Sequence, residues 1–232
     1  MPVAGTLEDG VRGAPRVRAF IQARMSSARF PGKVLAPLGG RPVIAHLIAR
    51  VQRFLPANRI VVACSEEPSD DPLASYLHDL GIAVFRGSLE NVLERLQRCL
   101  QQYPCTWFFR LCADSPLLHT RILQTMLAYT DRTDVDLVTN VFPRTFPRGC
   151  SAELLKASVF AALDSTTATP EEQEHATAYY YHHPERFAIL NIDSGSRDAA
   201  LSHLAVDTIE DLVRLEPWLD HDDTVLQTTL SE

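Results

Sequence analysis

The sequence lacks a long apolar run and an excess of basic residues. No segment approaches the ~20 consecutive apolar residues of a membrane-spanning helix, so we expect no contact with a membrane. Acidic residues number 29 and basic residues 22, and the net charge of -7 argues against broad nucleic-acid binding. The basic residues are therefore expected to serve a local anion site.

Cysteines are few, and they lack the paired spacing of metal ligands. There are five of them, an odd number, which favours buried small thiols in a reduced, cytoplasmic setting. They are Cys64, Cys99, Cys105, Cys112 and Cys150.

The composition is that of a globular protein large enough to bury a core. Of its 232 residues, 46% are hydrophobic and 22% are charged. Residues 1–15 mix glycine, proline and charges, so we expect a mobile extension that is neither a signal peptide nor a strand. Residues 16–232 are expected to form a single domain.

Apolar strands alternate with amphipathic helices along most of the chain. Strands are predicted at residues 17–21, 59–63, 82–85, 106–111, 135–139, 187–191 and 204–206. Helices are predicted at residues 42–54, 71–80, 89–100, 119–129 and 208–215. This order predicts an α/β fold with a mostly parallel sheet flanked by helices. The alternation breaks down over 140–191, where we expect a small projecting lid or dimerisation arm.

The first predicted strand runs into a loop that carries three cations. Arg24 and Arg29 can each present two N–H groups to phosphate oxygens, and Lys33 adds a compact charge. Pro31 prevents a continuous helix, and Gly32 permits an unusual turn. Because open α/β sheets bind ligands at the carboxyl ends of their strands, this loop is a candidate polyphosphate site. A solvated basic loop is the alternative.

Two aspartates follow later predicted strands. Asp114 comes after WFFRLC and Asp207 after LAV, so both are expected at the same sheet edge as the cationic loop. A hard divalent cation held by one or two carboxylates would offset the charge of bound phosphates. The pair therefore predicts a divalent-cation site, with a helix cap as the alternative for Asp207.

Residues 86–91 join a predicted strand to a predicted helix near this edge. Ser88 and Asn91 place polar side chains beside the backbone amides of the helix N-terminus, a position that borders a ligand in such a sheet. A simple turn capped by Ser88 is the alternative.

The order and spacing of these motifs, from about residue 16 to 215, resemble those of the sugar cytidylyltransferases. Acylneuraminate and ketodeoxyoctonate cytidylyltransferases belong to this family, and the spore-coat polysaccharide branch is especially similar. The motifs are IQARMSSARFPGKVL, LGGRPVIAHLIARV, VVACSEEPSDDPLASYL, VFRGSLENVLERL, RLCADSPLL, TNVFPRTFPRG, EQEHATAYYYHHPERF and LAVDTIEDL. The resemblance implies a Rossmann-like nucleotide-diphospho-sugar transferase fold and a homodimer.

The resemblance also implies roles for individual residues. Nucleotide-binding roles fall to Gln22, Ala23, Arg24, Ser26, Arg29, Lys33, Ser88 and Asn91. Catalytic roles fall to Arg24, Lys33 and Asp114, and the Mg²⁺ ligands are Asp114 and Asp207. Acceptor-binding roles fall to Asn140, Arg144, Arg148, Glu153 and His175, so that 140–191 forms the acceptor side.

One stretch departs from the spore-coat branch. That branch commonly has an acidic residue, then glycine, and a second acidic residue two places before a glutamate. Here Arg148, Gly149 and Ser151 precede Glu153. Two acids are lost and one base is gained, so the acceptor is expected to be more anionic than usual or otherwise different.

Taken with the resemblance, these residues predict a magnesium-dependent enzyme. It would transfer CMP from CTP to an acidic sugar or related acid, including a phosphonate, and release pyrophosphate. Transfer from another nucleoside triphosphate and glycosyl transfer from a nucleotide sugar are alternatives. A noncatalytic nucleotide-binding partner is a third alternative, prompted by the altered Arg148 and Ser151 positions.

Overall fold

The computed structural model describes residues 16–195 and 198–219, so the predicted extension at 1–15 lies outside the described residues. Its strands are β1 (Val17–Gln22), β2 (Pro37–Leu38), β3 (Arg41–Pro42), β4 (Ile60–Ser65), β5 (Ala83–Gly87), β6 (Trp107–Cys112), β7 (Leu137–Thr139), β8 (Glu153–Lys156) and β9 (Ile189–Asn191). Its helices are α1 (Val43–Val51), α2 (Asp71–Asp79), α3 (Val92–Gln102), α4 (Thr120–Leu127), α5 (Ala157–Ala161), α6 (Pro170–Glu174), α7 (Ala178–His182) and α8 (Ile209–Leu215).

Seven strands form one sheet in the order β5-β4-β1-β6-β8-β7-β9, while β2 and β3 make a separate antiparallel pair. The pairs β4–β5, β1–β4, β1–β6 and β7–β9 are parallel. Only β8 runs against its neighbours, β6 and β7. The prediction of an α/β fold with a mostly parallel, helix-flanked sheet is confirmed.

Both faces of the sheet are buried, as the nearly continuous apolar strands predicted. Along β1, Ala19 and Ile21 join one core cluster and Phe20 joins the other. The first cluster lies under α1, α2, α4 and α8, and the second under α3, α5 and α7. Helices α1 to α4 and α8, which the sequence predicted, each contribute apolar residues to one of these clusters.

The order of connections places a crevice between β1 and β6. After β1 the chain builds β4 and β5 on one side, and then crosses by α3 to add β6 on the other side. Ligands bind outside the carboxyl ends of strands at such a reversal of order. The loop after β1 and the turn after β6 both open into this crevice.

Several sequence predictions differ from the structure. The returning strand at 204–206 is wrong, because this segment is irregular and only His203 forms an isolated bridge, to Arg148. The helix predicted from residue 89 begins at Val92, since the Asn91 side chain caps it by accepting from the Glu94 amide. Strand β8 was not predicted, because its four residues, ELLK, show neither clean alternation nor a long apolar run.

The segment 140–191, expected to project, also belongs in part to the sheet. It supplies β8, inserted between β6 and β7, and the edge strand β9. Helices α5 and α6 contact α3 on the second face. Within the described ranges, no helix is long and apolar enough to cross a membrane.

Candidate active site

The loop after β1 folds back on itself through a left-handed glycine. Gly32 has φ 77° and precedes a short 3-10 turn, Lys33–Leu35. Its N–H donates to the Met25 carbonyl oxygen at 2.8 Å, which closes the loop. A residue with a Cβ would be strained at this φ, so the sequence Pro-Gly-Lys fixes where the Lys33 side chain starts.

Asp70 holds this loop from below, a role that the sequence did not reveal. Its carboxylate is fully buried and accepts hydrogen bonds from the Met25 amide at 2.6 Å and from both the amide and the hydroxyl of Ser65. It therefore ties the end of β4 to the loop after β1. A buried carboxylate satisfied in this way is a rigid support.

Lys33 joins the two predicted metal ligands. Its Nζ donates to Asp114 Oδ2 at 2.6 Å and to Asp207 Oδ1 at 3.0 Å. Arg29 lies 2.9 Å from the same Asp207 oxygen, and His203 Nε2 lies 3.4 Å from the other. Lys33 and Asp207, which are 174 positions apart in the sequence, thus meet at one point of the crevice.

The charges of this cluster shift the pKa values of its members. Burial alone would lower the pKa of Lys33, but the adjacent Asp114 and Asp207 carboxylates raise it above its ordinary value. Burial alone would raise the pKa of Asp207, but Lys33, Arg29 and His203 lower it. Each charged form stabilises the other.

Asp207 reaches this point through backbone contacts, since no strand precedes it. The Val206 amide donates to the Asp114 carbonyl oxygen at 2.9 Å. The capping box of α8 is made by Thr208 and Asp211. The N-cap residue is therefore Thr208 and not Asp207, whose carboxylate remains available.

A cleft of about 400 Å³ surrounds the cluster. Eight residues with predicted site roles line it: Gln22, Ala23, Arg24, Arg29, Lys33, Asp114, His175 and Asp207. Ser26 is not among the lining residues and is exposed, whereas Ser27 takes a place in the wall. The sequence therefore pointed to eight of the seventeen residues that line the cleft.

Ser88 and Asn91 occupy the alternative role, that of a capped turn. Ser88 Oγ accepts from the Asn91 amide, and Asn91 Oδ1 accepts from the Glu94 amide. Neither side chain lines the cleft. In this arrangement they shape the start of α3.

Asn140 and Glu153 were predicted to bind the acceptor, but both are buried supports. Asn140 is fully buried, and its amide bonds the backbone of Cys150 and Ala152. Glu153 lies opposite Arg110 across the β6–β8 pair and binds it at 2.9 Å. The structure places both side chains where they hold other groups in position.

Arg110 belongs to the cleft wall although the sequence analysis did not single it out. Its Nε donates to Gln22 Oε1 at 2.9 Å, and Glu153 accepts its other bond as well as one from the Tyr181 hydroxyl at 2.7 Å. A cation inside the apolar run WFFRLC was the available signal. Burial alone would lower the pKa of Arg110, but Cys112 and Glu153 raise it, so this cation is permanent.

Arg24 and His175 both line the cleft. Arg24 Nη2 lies 3.1 Å from Glu174 Oε1, and both side chains are about half exposed. Such a pair contributes little to stability and is easily exchanged for a ligand. Glu174 ends α6, whose N-terminus has a Thr169–Glu172 capping box, so this short helix brings Glu174 and His175 to the rim.

Arg144 and Arg148 lie beyond the cleft wall. Arg144 Nη1 donates to Ser151 Oγ at 2.9 Å, and the proximity of Arg148 together with burial lowers the pKa of Arg144. Among the described residues neither guanidinium is paired with a carboxylate within 4.0 Å. Uncompensated positive charge therefore collects beside the site.

The oxygen donors of Asp114 and Asp207 fit a divalent metal. They are hard ligands that already converge on one cation, the Lys33 ammonium. No group of three or more His, Cys, Asp or Glu in the described part of the chain is arranged to enclose an ion. A metal here would take its remaining ligands from phosphate oxygens and water, as Mg²⁺ commonly does.

The chain is similar to proteins of known family along most of its length. The Cytidylyltransferase family model matches residues 19–228. The chain belongs to the cytidylyltransferase family. It is 33% identical over 200 residues to the spore coat polysaccharide biosynthesis protein SpsF of Bacillus subtilis, covering 83% of this chain and 81% of that protein.

Solved structures agree with this assignment. A cytidylyltransferase from Leptospira borgpetersenii serovar Hardjo-bovis has a TM-score of 0.85 and 29% identity, with coverage of 93% and 94%. A CMP:2-keto-3-deoxy-manno-octonic acid synthetase complexed with CTP has a TM-score of 0.66 at 17% identity, covering 89% of this chain and 99% of that one, and it shares the fold. This cytidylyltransferase is thus a CTP-dependent nucleotidyltransferase with the predicted Rossmann-like fold.

Proposed function

We propose that this cytidylyltransferase transfers CMP from CTP, with Mg²⁺, to a small anionic acceptor such as an acidic sugar or related acid, and releases pyrophosphate. The observation that carries the proposal is the contact of Lys33 with both Asp114 and Asp207 in a cleft that also contains Arg24 and Arg29. Cations for a triphosphate and carboxylates for a metal are there in one place.

The chain's residues suit an in-line displacement. An acceptor oxygen forms a bond to the α-phosphorus, and the bond from that phosphorus to the bridging oxygen of pyrophosphate breaks with its electron pair. Arg24, Arg29 and Lys33 stabilise the charge that develops on the leaving pyrophosphate. Mg²⁺ held by Asp114 and Asp207 would neutralise phosphate oxygens when bound. A hydroxyl acceptor loses its proton, for which His175 at the rim is the available base.

The charge beside the cleft supports an anionic acceptor. Arg144 is bonded to the neutral Ser151 hydroxyl, and Arg148 is exposed nearby. Guanidinium groups without a carboxylate partner suit acceptor carboxylate, phosphate or phosphonate oxygens. The names of relatives, which include 3-deoxy-manno-octulosonate cytidylyltransferases and a spore coat polysaccharide biosynthesis protein, support an acidic sugar in polysaccharide biosynthesis.

Pyrophosphate release tests this function directly. We expect release with CTP, Mg²⁺ and one member of a panel of acidic sugars and phosphonates, and little with ATP, GTP or UTP. Mass spectrometry should detect the CMP-linked product. CTP binding without release across the panel would contradict the catalytic proposal and favour a noncatalytic nucleotide-binding partner.

The homodimer, the cytoplasmic location and the single-domain boundary at residues 16–232 stay predictions of the sequence. Sedimentation of the purified protein tests the first of them. For a homodimer, the molecular mass measured by sedimentation equilibrium would be twice the chain mass of 25.9 kDa.

A further inference from the structure

Arg95 is a buried cation that forms no ion pair with any of the described residues. It projects from the apolar face of α3, and 2% of its surface is exposed. Its Nη1 donates to the Ser88 carbonyl oxygen at 2.6 Å, while its Nε has no hydrogen-bond partner. Within residues 16–195 and 198–219, no carboxylate oxygen lies within 4.0 Å of the guanidinium.

Leaving such a group unpaired is unfavourable in a folded protein. Burial lowers the pKa of Arg95, yet an arginine stays charged at neutral pH. Buried charges and buried donors are normally satisfied by a partner. Asp70 is the carboxylate that raises the pKa of Arg95, but it already accepts hydrogen bonds from Met25 and Ser65. A ligand is therefore the remaining source of acceptors.

The position of Arg95 gives it access to a ligand. Together with Val92 it forms the part of the cleft wall that comes from α3. Its stem is fixed by Gly87 at the end of β5, where an added Cβ would lie 3.1 Å from Arg95 Cγ. The carboxylates of the proposed metal site come instead from the turn after β6 and the segment before α8. Phosphate and metal groups thus have other partners, and the nucleoside end is left for Arg95.

We propose that Arg95 recognises the base of the donor nucleotide, with its unpaired N–H edge donating to O2 and N3 of cytosine. Cytosine presents these two acceptors side by side, which matches the parallel donors of a guanidinium. Uracil carries a hydrogen on N3, so its N3–H donor would face the N–H donor of Arg95. A site with a buried donor rejects such an analogue because the donor loses its partner. The inference rests on the proposed CTP site.

Binding measurements on matched variants test the inference. Arg95→Met keeps the buried stem and removes the donors. Arg98→Met is the control, since Arg98 lies one turn further along α3, is about half exposed and pairs with Glu94. Calorimetry would measure CTP, UTP and inorganic tripolyphosphate. We expect Arg95→Met to weaken CTP binding by about 10- to 100-fold and to reduce the preference for CTP over UTP, with tripolyphosphate affinity unchanged.

A probe for the wild-type protein makes the test independent of whether Arg95→Met folds. In 3-deazacytidine triphosphate the N3 acceptor is replaced by C–H. We expect the wild-type protein to bind this analogue about 10-fold more weakly than CTP. The Arg95→Met variant should bind the analogue and CTP with equal affinity.

The outcomes separate the inference from the function on which it rests. An equal loss of CTP and tripolyphosphate affinity would make Arg95 a phosphate ligand and overturn the base contact. Equal binding of CTP and the deaza analogue by the wild-type protein would do the same. Failure of the wild-type protein to bind CTP would instead overturn the proposed function.

Discussion

Single residues of this cleft hold groups that would otherwise repel one another. Lys33 separates the carboxylates of Asp114 and Asp207 at hydrogen-bond distance. A triphosphate and a metal would bring more negative and more positive charge to the same point. In the proposed complex, Lys33 would bind either the aspartates or the phosphate oxygens. A bound metal ion would compete with Lys33 for the aspartates.

Replacing Lys33 tests this competition. We expect Lys33→Met to lower turnover by about 10²- to 10³-fold, because a charge on the leaving pyrophosphate loses its partner. The same variant should bind Mn²⁺ more tightly than the wild-type protein in the absence of CTP, by about 10-fold, because two carboxylates are left without a cation. Electron paramagnetic resonance of free Mn²⁺ measures this affinity.

The control for that variant is Lys156→Met, which removes the only other lysine of the chain. Lys156 bonds the Thr133 carbonyl oxygen away from the cleft. Unchanged Mn²⁺ affinity in Lys33→Met would contradict the idea that Lys33 and the metal share one pair of carboxylates.

Ser151 sets the charge available beside the cleft. Ser151→Asp would place a carboxylate next to Arg144, whose guanidinium now bonds the serine hydroxyl at 2.9 Å. We expect the KM for an anionic acceptor to rise about 10-fold, with kcat and the KM for CTP nearly unchanged, because ground-state attraction is lost. Steady-state kinetics measure the split, and Ser151→Asn, which adds no charge, is the control. A fall in kcat alone would argue against a binding role.

At the scale of elements, short helices place residues at the rim of the cleft. Helix α6 has five residues, too few to be stable alone, and ends at Glu174 beside His175. Its capping box and the contact of Glu172 with His182 at 3.0 Å fix it to α7. The rim therefore depends on a cap as much as on packing.

Removing the charge of Glu172 should give a pH-dependent loss of stability, although glutamine can still complete a capping box. Burial alone would raise the pKa of Glu172, but bonds from Thr169 and His182 lower it. Its stabilisation is therefore present above the unfolded pKa, near 4.5, and is lost as the pH falls through the lower folded pKa. We expect Glu172→Gln to reduce the free energy of unfolding by about 1 kcal/mol at pH 7.

Thermal denaturation across pH measures this effect, with a fall in Tm of about 2–4 °C at neutral pH. The difference from the wild-type protein should narrow below pH 4.5, where the unfolded carboxyl also becomes protonated. Glu171→Gln, at an exposed neighbour, is the control. A difference that stays constant down to pH 3 would show that the carboxylate charge is not involved.

At the scale of the whole molecule, burial in the fold raises the pKa values of the cysteine thiols. All five cysteines are free. Burial raises the pKa of Cys64 and Cys112 to about 11, and that of Cys105 and Cys150 to about 12. Such thiols remain protonated at neutral pH and are poor nucleophiles.

Alkylation should therefore be slow in the native protein. We expect iodoacetamide to react with Cys64 and Cys112 at pH 7.5 about 100-fold more slowly than in denaturant, since a pKa raised from 9.0 to about 11 leaves about 100-fold less thiolate. Mass spectrometry of the labelled peptides identifies each site. Because Cys112 lies in the cleft wall, rapid labelling of it would show that this wall opens in solution.

The sequence predicted the sheet and about half of the cleft lining because both depend on local patterns. Apolar strands end in polar loops, and parallel strands bring those ends together, so Lys33 and Asp114 could be placed near each other. Asn140 and Glu153 could not be assigned, because their partners are 10 to 43 residues away in sequence. Arg95 lies on the apolar face of α3. Its role could not be predicted from the sequence, because the sequence does not show that its guanidinium is buried without an ion-pair partner.

The loop of Arg148 and the segment before Asp207 are joined by two backbone hydrogen bonds. The Arg148 amide donates to Ser202, and the Leu204 amide donates to Arg148. Gly149, at φ 91°, lets them touch, since an added Cβ would lie 2.3 Å from the Leu204 carbonyl carbon. If the proposed acceptor displaced Arg148, these hydrogen bonds would carry the displacement toward Asp207, a proposed metal ligand. Thermodynamic reciprocity then requires that metal change acceptor affinity by the same factor by which acceptor changes metal affinity.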